Sequence, residues 1–309
     1  MRLSEVAAPM FAKHETFHPR YGWFRKAHNC VENDSSVFLR EDAPVQIGVG
    51  KNMVRSIRFW GLASKIIEED SGGSNRRSAE LVTTSIGDKL FGESGWDQYM
   101  EDPGTLWLLH WLMLAPTTRL PVWWLAYNEF SAVVFTENEL EKVITEQLEI
   151  NKSWGSPSIS SIMKDVRVLL RTYAPTELAK KTKLEDTLDC PLRELNLIQS
   201  TENPDQYRFS LGPKPELPLE ILAFTFLDYC RYLNLEGSVV PLSRLATEPG
   251  SPGKAFKLTE ADIFENIEEI SSCTKDLEVT ISLGVPHISW SNELSVIAND
   301  FLNSYYGKS

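Results

Sequence analysis

The chain has 309 residues and a formal net charge of −12, with 42% hydrophobic and 24% charged residues. This composition is close to the average of globular proteins, and it excludes a wholly disordered chain, a collagen-like chain and a disulfide scaffold. The length is enough for two or three domains. The acidic total argues against a nucleic-acid-binding protein, because such proteins are expected to be basic.

The charge is distributed unevenly along the chain. Residues 1–92 carry a net charge of +2, residues 93–150 carry −8, residues 151–215 carry +2 and residues 216–309 carry −8. Two mildly basic blocks therefore alternate with two acidic ones. A polyanion can still bind if the basic residues share one face of the molecule.

Cysteine usage and hydropathy indicate a cytoplasmic protein with no membrane contact. No CxxC pair and no zinc-ligand spacing occurs, which is typical of reduced thiols; the four cysteines are Cys30, Cys190, Cys230 and Cys273. The N-terminus has no apolar signal-peptide region. The most apolar run, Thr105–Ala115, is about half as long as the ~20 residues that a membrane span needs, so we expect a buried core helix there.

The first basic block predicts a winged helix-turn-helix. A helix over Pro19–Asn33 precedes short extended or linking pieces at Val37–Leu39 and Pro44–Ile47, and a strongly periodic helix follows over Asn52–Glu69. Glu80–Leu90 then has the composition of strand and turn. In the winged motif the second helix enters the major groove of DNA.

Basic residues of this block are the first candidates for DNA contact. The helical spacing predicts Lys51, Arg55 and Arg58 on a common solvent side of the second helix. The start of that helix suits the binding of a DNA phosphate. The alternative is an ordinary solvated face. The candidates in this block are Arg20, Arg25, Lys51, Asn52, Arg55, Arg58, Arg76 and Arg77.

The same order of elements recurs after a tryptophan-rich segment over residues 93–135, which we expect to form the core. Helices are predicted over Asn138–Ile150 and Ser158–Tyr173, followed by a hairpin of Asp189–Gln199 and Gln206–Leu211. The second helix presents three further candidates for DNA contact, namely Lys164, Arg167 and Arg171.

A third repeat occupies the C-terminal acidic block. Its second helix, Thr259–Ser271, is acidic and therefore unsuited to phosphate, so we expect this unit to be structural or protein-binding. The predicted fold is mainly α with small β-wings (α+β), with tandem winged-helix-like units around a Trp-rich helical core. The predicted domains are residues 1–135, 136–215 and 216–309. The other predicted elements here are Leu219–Leu233, Pro241–Thr247, the strands Leu277–Leu283 and His287–Trp290, and a helix over Ser291–Tyr306.

Residues 14–18 read His-Glu-Thr-Phe-His and match the HExxH pattern of zinc hydrolases. That chemistry needs a helix, so that both histidines face one metal and the glutamate polarises a water. Pro19 follows at once and interrupts a helix. A polar loop is therefore the competing interpretation for His14 and Glu15.

Asp97, Glu101 and Asp102 form a second candidate site, because grouped carboxylates can hold Mg²⁺ or Mn²⁺ for phosphodiester hydrolysis. The alternative is a helix start: Glu101 and Asp102 precede Pro103, and acidic residues suit the first turn of a helix. Neither interpretation is decided by the sequence.

Four segments resemble one bacterial family. They are FAKHETFHPRYGWFRKA (Phe11–Ala27), GVGKNMVRSIRFW (Gly48–Trp60), LFGESGWDQYMEDPGTLWLLHW (Leu90–Trp111) and FTENEL (Phe135–Leu140). They are similar to the SspB-type family of the single-strand DNA phosphorothioation (Ssp) anti-phage defence systems, a family formerly catalogued as a domain of unknown function.

The resemblance implies a DNA-nicking protein that acts beside a cysteine desulfurase, an ATP pyrophosphatase-like protein and an ATPase. A nickase needs metal-holding carboxylates or an activated nucleophile, together with a surface that reads phosphates. The catalytic candidates are His14, Glu15, Asp97, Glu101 and Asp102, the last three as ligands of Mg²⁺ or Mn²⁺. The alternatives are a non-catalytic DNA-binding or recruiting subunit, and a zinc hydrolase that uses HETFH.

Overall fold

The structure is a computed structural model that describes residues 2–70, 80–151, 154, 157–174, 190–203, 205–235 and 239–307. Helices dominate, and the strands form small antiparallel sheets. The predicted α+β, mainly helical fold class is confirmed. Arg76 and Arg77, the basic tip of the first predicted wing, lie outside the described residues.

The N-terminal unit follows the predicted order of helix, helix and strand pair. It contains α1 (Leu3–Val6), α2 (Trp23–Asn33), α3 (Ala43–Ile47), α4 (Lys51–Ala63), β1 (Ile67–Glu69) and β2 (Leu81–Thr83). The two strands are antiparallel, with Ile67 opposite Thr83. Helices α2 and α4 pack on each other through buried apolar faces, which positions α4 beside the start of the chain.

The structure differs from the sequence prediction at three places in this unit. The pieces predicted as extended or linking are a 3₁₀ helix over Val37–Leu39 and the helix α3, which has a proline in its first turn and ends at Gly48 with φ 72°. Helix α4 ends at Ala63, six residues early. Lys65 adopts a left-handed φ of 58° and the chain turns into β1.

The predicted strand-and-turn segment over Glu80–Leu90 is a short strand followed by a helix. After β2, Thr84 accepts a hydrogen bond from the amide of Gly87 and so caps α5 (Ser85–Phe91). The change from strand to helix was missed because the helix is only two turns long.

Two apolar helices, α6 (Pro103–Leu114) and α7 (Pro121–Asn128), form the centre of the molecule. Trp111, Trp123 and Trp124 are each 1% exposed. The predicted core helix is therefore confirmed. Among the described residues, no helix combines the length and the apolar character that crossing a membrane would require.

The central unit adds a third strand to its predicted hairpin. It contains β3 (Val134–Thr136), α8 (Glu137–Ile150), α9 (Ile159–Tyr173), β4 (Ile198–Ser200) and β5 (Gln206–Phe209), with sheet order β3-β5-β4. Thr136 and Glu139 form a capping box at the start of α8. The first part of the predicted strand Asp189–Gln199 is wrong, because Pro191–Leu195 forms a 3₁₀ helix.

The C-terminal unit repeats this strand order, as β6-β8-β7. Its acidic second helix, α13, is capped by Thr259. The elements are α10 (Leu219–Tyr232), β6 (Val240–Pro241), α11 (Leu242–Thr247), α12 (Pro252–Phe256), α13 (Glu260–Cys273), β7 (Leu277–Ser282), β8 (Val285–Trp290) and α14 (Leu294–Tyr306).

Candidate functional site

Residues 12–21, which we call the N-terminal turn, lie between α4 and α9. The amide of Ala12 donates to Asp165 of α9 at 2.9 Å, and Nε2 of His14 donates to the same carboxylate at 2.5 Å. The His14 ring stacks on Trp60 of α4 with 6.2 Å between the ring centres. Trp60 in turn donates its indole N–H to the carbonyl of Phe17 at 3.1 Å. The turn is therefore fixed to both helices.

The HETFH segment does not have the geometry of a zinc-hydrolase site. Glu15 and Thr16 have left-handed φ angles of 49° and 65°, so the segment forms a turn and not the required helix. Nδ1 of His14 accepts the amide of Thr16 at 3.1 Å, and Nε2 is held by Asp165. Both ring nitrogens of His14 are thus engaged within the protein.

Basic side chains from two helices reach consecutive residues of the N-terminal turn. Arg55 of α4 donates to a carboxylate oxygen of Glu15 at 3.3 Å. Arg171 of α9 donates to the carbonyl of Thr16 at 2.6 Å. The basic faces that the sequence predicted separately on α4 and α9 therefore meet on one surface.

A cleft of about 620 Å³ lies beside this meeting point, between α9 and the turn that joins β4 to β5. Lys164, Arg167 and Arg171 line it from α9, and all three are exposed. Arg167 is paired with Glu137 at 3.1 Å, and the hairpin turn contributes Glu202 and Asp205. The positive charge of the cleft is thus concentrated along α9 and not at the hairpin turn.

His18 is buried within the N-terminal turn. Burial, helped by the positive charges of Arg193, Arg171 and Arg20, lowers the pKa of His18 to about 3. The imidazole is therefore neutral at pH 7. Arg20 also stacks its guanidinium over Trp23, 5.6 Å from the ring centre.

Other predicted DNA contacts have different surroundings. Lys51 and Asn52 are exposed in the first turn of α4, as expected. Arg58 departs from the predicted solvent side, because it is half-buried and pairs with Glu69 at 3.7 Å. Arg25 packs over the ring of Tyr99, 4.2 Å from its centre, and donates to Gln98.

The acidic group predicted as a metal site builds a helix start. The carboxylate of Asp97 accepts the amides of Glu101 and Asp102 at 2.9 and 3.1 Å. Asp102 accepts the amide of Gly104 at 2.7 Å and the hydroxyl of Tyr305 at 2.5 Å, and it is the N-cap of α6.

These contacts direct the carboxylates of Asp97 and Asp102 at backbone amides and at a tyrosine, whereas the side chain of Glu101 is exposed. The described part of the chain contains no group of three histidine, cysteine or acidic side chains placed to hold a metal ion. Asp97, Glu101 and Asp102 therefore do not fit a Mg²⁺ or Mn²⁺ site in this arrangement.

Three residues of this region, Asp165, His18 and Arg193, were not among the site residues predicted from the sequence. Asp165 carried a usable signal, because it falls on the apolar face of α9 with Ile162 and Leu169, where a carboxylate needs a buried partner. Burial raises the pKa of Asp165. His18 and Arg193 gave no such signal, since their proximity arises only when the 3₁₀ helix packs beside the N-terminal turn.

Comparison with known proteins places the chain in a family. The model of the family described as "Protein of unknown function (DUF4007)" matches residues 11–306. No curated protein sequence matches significantly. A structure described as "SspB crystal structure" is 36% identical with a TM-score of 0.93, and covers 99% of this chain and 91% of that one.

A second structure, described as "Magnesium ion-bound SspB crystal structure", is also 36% identical, has a TM-score of 0.92, and covers 99% of this chain and 90% of that one. Sequence identity above 30% over nearly the full length, together with the family match, confirms the resemblance seen in the sequence. The chain therefore belongs to the DUF4007 family and is an SspB-type member in both sequence and fold.

Proposed function

We propose that the protein binds DNA along α4, the N-terminal turn and α9, and that it nicks one strand during phosphorothioate modification in anti-phage defence. The observation that carries the DNA-binding part is the convergence of Arg55 and Arg171 on Glu15 and Thr16. Because two basic helix faces meet at one turn, the phosphates of a DNA backbone can contact one continuous basic surface.

The order of elements supports treating the N-terminal and central units as winged helices. Among the described residues, the basic helix of each unit is the last α-helix before the hairpin. The central sheet also has the first strand paired with the last, as β3-β5-β4. The corresponding helix of a winged helix-turn-helix is the one that enters the major groove.

The acidic residues of the cleft indicate which part of this basic surface would contact DNA. Glu202 and Asp205 at the hairpin turn would repel phosphates, whereas Lys164 and Arg171 on α9 would attract them. We therefore propose that DNA contacts α9 and the N-terminal turn. The turn that joins β4 to β5 would lie away from the DNA backbone.

The proposed role in phosphorothioation rests on similarity to SspB. In this role the protein acts in the cytoplasm with a cysteine desulfurase, an ATP pyrophosphatase-like protein and an ATPase, which insert sulfur where a nick has exposed the backbone. The acidic helix α13 has exposed glutamates, including Glu265, Glu268 and Glu269, and suits contacts with protein partners better than contacts with DNA.

A divalent ion remains part of the proposal because one SspB structure is described as magnesium-bound. The nicking test is the incubation of supercoiled plasmid with Mg²⁺ or Mn²⁺. Open circles are the expected product. Intact plasmid together with a gel shift would instead support the second candidate function, a non-catalytic subunit that recruits the sulfur-transfer proteins to DNA.

DNA binding is tested by Arg55→Ala and Arg171→Ala. We expect each change to weaken binding to a short duplex and to reduce the slope of log affinity against log salt by about 1, since each removes one phosphate contact. Arg231→Ala is the matched control, because it removes an exposed arginine from α10. Equal affinity in all four proteins would refute this interface.

A further inference from the structure

The hairpin of β7 and β8 carries apolar side chains beyond the point where the hydrophobic core ends. Leu277 of β7 is 4% exposed and Ile288 of β8 is 3% exposed, whereas Ile281 is 66% exposed. Residues two apart along a strand share one face of a sheet, so Ile281 continues the face on which Leu277 and Val279 lie. The apolar face of the hairpin therefore extends out of the core into solvent.

The end of the hairpin, which we call the apolar tip, comprises Ile281, Leu283 and Val285. Ser282 pairs with Val285, so Val285 lies on the face opposite to Ile281. Val285 is 42% exposed, and Leu283, in the turn between the strands, is fully exposed. Apolar side chains thus lie on both faces and in the turn. A partner that covered all three would have to surround the tip, as a pocket does.

Leu283 is an unusual residue for its position. It forms a two-residue turn with Gly284, and the φ angles of the two residues are 53° and 81°. Asn, Asp and Gly are favoured in such turns, because they adopt the left-handed backbone region at little cost. Folding therefore does not favour a leucine here, and burial does not explain it. A contact with another molecule gives this side chain a reason.

The corresponding hairpin of the central unit has a polar turn. Its sheet has the same strand order, β3-β5-β4, and its turn contains Thr201, Glu202, Asn203 and Asp205. Polar side chains at this place are therefore compatible with the fold of the hairpin. The two repeats share the sheet and differ at the tip, as expected if the C-terminal hairpin has a binding role of its own.

The unit that carries the apolar tip is acidic, and its charge indicates the kind of partner. Glu278 of β7 is exposed, and so are Glu265, Glu268 and Glu269 of α13, a helix that packs against β7. Lys275 is the one exposed cation in the segment that joins α13 to β7. The surface around the base of the hairpin is therefore negative.

The arginines of this unit do not offset that charge, because they pair elsewhere. Arg231 pairs with Asp228 at 2.6 Å, and Arg244 pairs with Glu248 at 2.7 Å. DNA would be repelled by the acidic surface, and a second copy of this chain would bring the same negative charge against it. A protein with positive charge around an apolar pocket would be attracted.

We propose that the apolar tip is a docking element that inserts into an apolar pocket on another protein, and that the rim of this pocket is basic. Burial of apolar side chains at the centre of such a contact supplies most of its affinity, and complementary charge around the centre selects the partner. The docking surface goes beyond the proposed DNA contacts. Only the expectation that the partner is one of the sulfur-transfer proteins rests on the proposed function.

The partner is identified by site-specific photo-crosslinking of the full chain in cells of its native host. A benzophenone amino acid is placed at position 283 in one protein and at position 202, in the turn of the central hairpin, in the control. We expect capture of a protein from position 283 and not from position 202. Equal capture at both positions, or no capture, would overturn the proposal. Crosslinks to DNA or to a second copy of this chain would also overturn it.

The affinity of the purified partner for three variants tests the contact itself. Leu283→Asn removes the apolar side chain and suits the turn, so its Tm should equal or exceed that of the wild type. We expect it to bind the partner about tenfold or more weakly, as loss of a buried anchor predicts. Glu268→Lys should weaken binding at low salt and reduce its salt dependence. Glu202→Gln is the control and should bind as the wild type does.

Calorimetry measures these affinities, and thermal unfolding checks that each variant is folded. Wild-type affinity in Leu283→Asn would overturn the docking element. Wild-type affinity and salt dependence in Glu268→Lys would overturn the basic rim of the partner's pocket.

DNA binding measures the proposed function separately. Leu283→Asn should bind a short duplex as the wild type does, because the tip belongs to the acidic unit. A protein that docks through the tip and binds no DNA would leave the docking surface standing and refute the proposed function. DNA binding that weakens in Arg55→Ala, while Leu283→Asn changes no partner affinity, would do the reverse. A captured protein other than the three sulfur-transfer proteins would support the docking surface and contradict the proposed assembly.

Discussion

At the scale of single residues, buried and half-buried polar side chains divide into those that hold the fold and those that the fold leaves without a hydrogen bond. Asp97, Asp102 and Asp165 each accept hydrogen bonds from backbone amides, so their carboxylates fix the path of the chain. His18 accepts and donates none within the described residues. The sequence alone grouped acidic residues by proximity along the chain, whereas their hydrogen bonds assign them structural roles.

Asp97→Ala tests the structural role of the acidic group. We expect it to lower the free energy of unfolding by about 1–3 kcal/mol, because two partly buried backbone amides lose their acceptor. Glu101→Ala is the matched control, since that side chain is exposed and should change stability by less than about 0.5 kcal/mol. Urea unfolding measures both. A larger loss of stability in the Glu101 variant than in the Asp97 variant would contradict this assignment.

The pH dependence of stability should report the neutral histidines. Burial lowers the pKa of His18 to about 3 and that of His110 to about 4, from an ordinary value of 6.5. Between pH 6.5 and pH 4 these two histidines bind protons in the unfolded chain but not in the folded chain. The free energy of unfolding should therefore fall as the pH drops from about 6.5 to about 4.

The variant His18→Gln should make this decline shallower in acetate and MES buffers. The same measurement on His287→Gln, a change at a half-buried histidine of β8, is the control. An identical slope in the wild type and His18→Gln would show that His18 titrates normally in the folded protein.

At the scale of elements, α4 and α9 show how much periodicity predicts. Apart from the half-buried Arg58, the exposed basic residues of each helix were predicted correctly, because a period near 3.6 is encoded locally. The end of α4 was not, because it depends on the left-handed Lys65, whose ammonium group donates to the carbonyls of Ala115 and Pro116. That contact joins residues fifty positions apart and has no local signal.

Gly61→Ala tests the contact that positions α4. A Cβ atom at Gly61 would lie 2.7 Å from the Cβ of Ala27 in α2 and 2.8 Å from Cδ1 of Ile67 in β1. We expect a loss of stability of about 1–3 kcal/mol from overpacking, together with weaker DNA binding as α4 shifts. Gly50→Ala is the control, because its Cβ would meet nothing within 4 Å. Thermal unfolding and a gel shift measure both properties.

At the scale of the whole molecule, the tryptophan-rich helices α6 and α7 connect the three units. His110 of α6 bonds to the hydroxyl of Tyr173 in α9 at 2.7 Å and to the carbonyl of Ala255 in α12 at 2.9 Å. Trp123 of α7 packs on Trp60 of α4, with 6.0 Å between the ring centres. The units therefore share one core.

This shared core predicts that the units unfold together. His110→Ala removes a buried ring and leaves a buried hydroxyl and a buried carbonyl without a partner. We expect it to cost about 3–5 kcal/mol and to lower the midpoints seen by tryptophan fluorescence and far-UV circular dichroism equally. Two separated transitions in urea would mean that the units fold independently around a weaker centre.

The sequence by itself determined the fold class, the buried core helix, the helices α8, α9, α10, α13 and α14, and, apart from Arg58, the exposed basic residues of α4 and α9. These features follow from hydrophobic periodicity and capping residues, which act over a few positions. Local hydrogen bonds decided that Asp97 and Asp102 build a helix start, an alternative that the sequence had left open. Tertiary structure decided that the two basic faces meet at the N-terminal turn, through contacts between residues 40 and 155 positions apart. Periodicity contains no information about such distant contacts.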